Sequence, residues 1–111
     1  MYRNTDFTMR EIQDSEYGEL LRALAVNPFD AEAREKVAVL LRKHKSTQEY
    51  YGDLYRSEYA SCHRQGEYGL EVYHNFSERL REYFLSIGGN SLAANRLARF
   101  DAEGFVEMLA G

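Results

Sequence analysis

The sequence holds no tryptophan, one cysteine and one proline in 111 residues. A single cysteine excludes an internal disulfide framework and fits a reducing compartment, so a cytoplasmic protein is expected. No stretch approaches the ~18 consecutive apolar residues that a membrane span needs. The opening segment Met1-Tyr2-Arg3-Asn4-Thr5-Asp6 lacks the basic-then-apolar pattern of a secretory signal. Positive charge is not in excess: the formal net charge is −4, against the basic balance usual in nucleic-acid-binding domains. With one proline and only short glycine runs there is no place for a linker. Residues 1–111 therefore read as a single domain, with an irregular N-terminal arm over 1–7 that shows no periodicity.

Strand-like alternation is also missing. Apolar residues recur at helical spacing instead, and the expected fold is all-α, a compact bundle of five or six helices built from helical hairpins. Asn27-Pro28-Phe29-Asp30 organises it. Pro28 has no N–H and disfavours the α region at Asn27, which ends one helix. Asp30 can accept a hydrogen bond from the first turn of the next. Thr8-Met9-Arg10-Glu11 matches a capping box, and a first helix should run from there to Val26, with Gly18 weakening it. A second helix carries Ala33, Val37, Leu40 and Leu41 and closes on Arg42-Lys43-His44-Lys45, where cations suit the carbonyl end of a helix. Ser46-Thr47-Gln48-Glu49 matches another capping box and predicts a third helix to about Gln65, with Gly66 and Gly69 bracketing a break. The fourth has the cleanest stripe, Tyr73, Phe76, Leu80, Tyr83, Phe84 and Ile87, and stops at Gly88-Gly89. Asn90 or Ser91 and then Asp101 can cap two short final helices.

Leu20, Ala23, Asn27-Pro28, Val37-Ala38, Leu41, Leu54 and Ser57 resemble the spaced small and apolar positions of a tetratricopeptide repeat. The resemblance covers roughly Glu19 to Cys62. It implies the second helix of one repeat, the turn between repeats and both helices of the next, a single repeat-like unit used for protein interaction. Tyr50 stands where that family has a small residue, and Cys62 where a second proline would fall.

Chemistry finds little to work with. Cys62-His63 and His74 are the softer metal ligands, but adjacent helical residues point ~100° apart and no zinc-type spacing occurs. Cys62 has no evident activating partner. Gly88-Gly89-Asn90-Ser91 lacks the lysine and the preceding strand of a phosphate loop. Glu16 and Glu58 fall in apolar arcs without a reason to meet. No metal, cofactor or catalytic residue is expected. On a helical projection of the third helix, Tyr50, Tyr51, Leu54, Tyr55, Tyr59 and Cys62 spread over about half the circumference, wider than one packing layer needs. Tyrosine and arginine are the types enriched at interface hot spots. The expected function is thus a non-catalytic protein–protein interaction module: an adaptor, an assembly subunit or an inhibitor of a larger complex, of the sort a phage or mobile element encodes. Tyr51, Tyr55, Arg56 and Tyr59 are its expected partner-binding residues, and the partner is another protein or a second copy. Nucleic-acid binding through Arg79, Arg81, Arg96 and Arg99 is the runner-up, and a small enzyme comes third.

Overall fold

The computed structural model describes residues 6–111, and among these it contains six helices and no strand. They are α1 (Met9–Asp14), α2 (Glu16–Val26), α3 (Ala31–Tyr55), α4 (Ala60–Ser86), α5 (Ser91–Leu97) and α6 (Ala102–Leu109). Most of the expected irregular arm, residues 1–5, lies outside the described part. Phe7 precedes α1 in non-helical backbone and packs its ring on Phe76 with centroids 5.0 Å apart.

Helix starts follow local chemistry. Thr8 and Glu11 form the reciprocal cap, with the Glu11 N–H donating to Thr8 Oγ1 at 3.0 Å and the Thr8 N–H to Glu11 Oε1 at 2.9 Å. The Asn27 N–H still reaches Ala23 O at 2.8 Å, the Phe29 N–H donates to Asn27 Oδ1, and Asp30 caps α3 through the Ala33 N–H at 3.1 Å. Asn90 and Asp101 cap α5 and α6 in the same way.

The first predicted helix is two. Ser15 ends α1 and starts α2: its hydroxyl donates to Ile12 O at 2.6 Å and accepts from the Tyr17 N–H at 3.2 Å. A serine supplies both local bonds that a break requires. The bend brings Ile12 and Tyr17 together into the core, both almost fully buried.

The two middle helices are each longer than expected, and their border is shifted. α3 runs straight through Ser46-Thr47-Gln48-Glu49, because Thr47 turns its hydroxyl back to Lys43 O, 3.1 Å away, instead of capping a new helix. The chain reverses at 56–59, and Gly66 and Gly69 lie buried inside α4 rather than at a break. Where the tetratricopeptide-like reading expected two helices between Ala31 and the segment near Ser57, there is one helix of 25 residues.

α3 and α4 form a long antiparallel hairpin. α2 packs on α3 and α1 on α4, while α5 packs on α4 and α6 on α3. The core joins Ile12, Tyr17, Leu21 and Leu24 to Val37, Leu41, Leu80, Phe84, Leu97, Phe105 and Leu109. Polar pins hold the outer elements. Arg22 donates to the Tyr83 hydroxyl at 2.9 Å, Arg34 to Val106 O at 3.1 Å, and Arg42 pairs with Glu103 at 3.1 Å. The basic run therefore sits in mid-helix. Arg42 and Lys45, the latter 3.5 Å from Arg99 O, tie α3 to the α5–α6 unit, while His44 turns inward.

Candidate partner interface

Buried apolar residues of α3 end at Leu41, and those of α4 begin at Leu80. The halves of the hairpin beyond these points form an arm, closed at its base by a belt of aromatic rings. His44 is the centre of the belt. Its ring centroid lies 5.4 Å from Phe76, 5.5 Å from Tyr17, 5.7 Å from Phe100 and 5.9 Å from Tyr73, and its Nδ1 is 2.7 Å from the Tyr17 hydroxyl. Phe100 reaches this place only because its backbone takes φ 51°, a conformation that costs a non-glycine residue about 1–2 kcal/mol. Burying its whole ring offsets that cost.

The belt makes the fold sensitive to pH. Burial, and then the neighbouring Lys43 charge, hold the His44 pKa below its ordinary 6.5. A backbone hydrogen bond with Leu40, and then Glu16 on α2, oppose the shift, and Tyr17 and Tyr73 are the other titratable groups against the ring. Burial also pushes the Tyr17 and Tyr73 hydroxyls up, so both stay neutral. The folded chain thus keeps His44 neutral where the unfolded chain takes up a proton. Stability is complete above the unfolded value near 6.5 and declines as pH falls from there toward the lower folded value. Urea unfolding between pH 7.5 and 5 should show this slope. His44→Gln, which keeps a polar partner for Tyr17 but cannot titrate, should flatten it relative to the parent. An unchanged slope would place the titrating group elsewhere.

Beyond the belt, α3 packs on α4 through the two glycines. A side chain at Gly66 would collide with the backbone of Tyr51 and Tyr55, and one at Gly69 with the Tyr51 ring. Only the absence of Cβ permits this approach. Tyr51 consequently lies over Gly69 and 5.8 Å from Tyr73, and only part of it reaches the surface. Tyr55 is partly exposed and stacks on His63 at 4.5 Å, where His63 Nδ1–H donates to Tyr55 O at 2.6 Å. Tyr59 is 76 % exposed in the connection, at the cap position of α4. Arg56 ends α3 and pairs with Asp53. Tyr55 and Tyr59 thus flank a chain reversal instead of sharing one helix face. Tyr50, 57 % exposed, and the less exposed Tyr68 of α4 add to the aromatic surface. Both positions carry the tyrosine signal in sequence, but only the true helix border brings Tyr68 onto the arm.

The remaining sequence candidates are dispersed. Arg96 donates to Asp101 at 3.0 Å, Arg79 pairs with Glu82 at 2.7 Å and also donates to Phe7 O, and Arg81 pairs with Glu78 at 3.2 Å. The contacts of Asp101 with the Gly104 N–H, and then with Arg96, hold its carboxyl below the usual range. Glu58 is exposed in the connection, Glu16 lies far along the chain on α2, and Cys62 is half-buried as a free thiol. Among the described residues no three histidine, cysteine or acidic side chains converge as a metal site requires, and no helix is long and apolar enough to cross a membrane. No family model, curated protein or solved structure matches the chain.

Proposed function

We propose that the protein is a non-catalytic interaction module that engages another protein, or a second copy of itself, through the tip of the α3–α4 arm. The exposure of aromatic side chains there supports the reading above all. Tyr50, Tyr55 and Tyr59 are exposed on an arm that meets the buried core only at its base, through rings such as Tyr73 and Phe76. A large ring left in water is an unused contact area, and tyrosine loses little conformational entropy when a partner covers it. Arg56 beside them supplies a charged rim. In this reading the single-repeat resemblance survives only as a helical hairpin, and the lone thiol suits work in the cytoplasm.

The test is Tyr55→Ala, Tyr59→Ala. Lying outside the core, the pair should cost only about 1 kcal/mol or less in stability. The circular dichroism spectrum should stay helical, while self-association in sedimentation or the protein captured from host extract is lost. A variant that keeps both its assembly state and its captured proteins moves the interface elsewhere.

A further inference from the structure

A second surface, distinct from the arm, lies between α2 and α3 and is lined by these helices and their turn. It is an open groove of about 850 Å³, floored by Leu20, Ala23, Ala33 and Leu40, with the half-exposed Val39 on its α3 side. Its walls are acidic. Glu16 and Glu19 line the α2 side, Glu32 and Glu35 the α3 side, and Asp30 stands at the turn. Lys36 is the only cation in the lining, and Glu32 holds it at 2.7 Å. Five carboxylates against one ammonium leave four negative charges, as many as the formal net charge of the whole chain. Glu16, Glu19 and Glu35 form no salt bridge among the described residues, and Glu16 and Glu19 stand in the first turn of α2, where a carboxylate suits the helix end.

We propose that this groove docks a basic amphipathic helix of a partner protein. The occupant follows from charge and shape. An apolar floor between two acidic walls fits a segment with a narrow apolar stripe flanked on both sides by lysine or arginine. The α3 wall runs from Asp30 to Leu40, about 15 Å at 1.5 Å per residue, and takes roughly three turns of such a helix. Like charges along both walls repel an acidic segment and gain from a basic one, and the groove's field acts on encounter as well as on the bound state.

The probe is a fluorescein-labelled peptide of about 14 residues, with leucines at i, i+3, i+4 and i+7 spacing and lysines elsewhere. A scrambled peptide of the same composition is its control. In fluorescence anisotropy the patterned peptide should bind the full chain at least ~10-fold tighter than the scrambled one, and binding should weaken as salt rises. Glu19→Lys with Glu35→Lys, both at exposed positions, should reduce affinity at least ~10-fold with an unchanged circular dichroism spectrum. Val39→Ser should reduce it by about threefold through the floor. Tyr55→Ala, Tyr59→Ala should leave it unchanged, which separates failure of this groove from failure of the arm. Equal binding of patterned and scrambled peptides, or full affinity in the charge-reversed variant, overturns the proposal. So does a self-association that the charge reversal abolishes, because the occupant is then a second copy.

Discussion

Leu80→Ala should lower the unfolding free energy by about 2–5 kcal/mol, the usual cost of deleting a buried leucine side chain and leaving the cavity. For a chain of this size that is a fall in melting temperature of roughly 10–20 °C, and against a whole-domain stability of ~5–15 kcal/mol it is a large fraction. Leu80 has no exposed surface and belongs to the core shared with α2 and α3 residues. Phe76, one turn earlier in the same stripe, is only partly buried in the belt, so Phe76→Ala should cost less than Leu80→Ala. Glu78→Ala removes a half-buried, single-turn pairing with Arg81 outside the core and should change stability by only about 0.5 kcal/mol. Chemical denaturation of the three variants gives the ranking. Equal losses in all three would mean that α4 turns a different face to the core.

The stripe on α4 was legible because it depends on one helix alone: Leu80, Tyr83 and Phe84 repeat at a spacing that any burial partner would exploit. Caps were legible for the same reason, since Thr8 with Glu11, Asp30, Asn90 and Asp101 each act within four residues of themselves. The border between α3 and α4 was not. Ser46-Thr47-Gln48-Glu49 has the letters of a cap, and a threonine chooses between capping forward and bonding back to Lys43 O according to whether the preceding helix is held in place. Here that helix is fixed on both sides of the threonine, by the His44 belt before it and Tyr51 after it. Gly66 and Gly69 read as a break by propensity, and only the partner helix reveals them as a contact.

The same shift governs how much of the candidate interface could be foreseen. The wide tyrosine arc was drawn on one helix that the reversal at 56–59 divides, and Tyr55 and Tyr59 are exposed on either side of that reversal. How much of Tyr51 reaches the surface is set by Gly69, eighteen residues on, which no projection of a single helix contains. His44 was hidden within a basic run that looked like a helix end. Its role depends on Tyr17, Tyr73, Phe76 and Phe100, contributed by three other parts of the chain. The groove beside α2 was hidden for a related reason, as its two acidic walls belong to different helices and meet only after the Asn27–Asp30 turn has folded.

The arm itself can be tested by substitutions that ordinary helix propensity would rank the other way. Replacing an interior helical glycine by alanine normally gains about 1 kcal/mol. Gly52→Ala should follow that rule, because its new methyl would meet only Arg56 side-chain nitrogens at 3.6 and 3.8 Å, an ordinary contact at the end of a flexible chain. Gly66→Ala should break it. Its methyl would land on the backbone of α3, 2.6 Å from Tyr51 O and closer still to the Tyr55 N–H, and neither can swing aside as a side chain would. Relief requires α3 and α4 to part, which uncovers the Tyr51 ring and the inner face of the arm. Overpacking of this kind costs about 1–3 kcal/mol beyond the propensity gain. Since the buried apolar core ends at Leu41 and Leu80, the damage should stay in the arm. Amide hydrogen exchange in Gly66→Ala should speed up near Tyr51 and Tyr55 and across the first half of α4, while amides around Val37, Leu80 and Phe105 keep their protection. If Gly66→Ala instead stabilised the chain as Gly52→Ala does, the two helices would not touch there, and the arm would have to be redrawn.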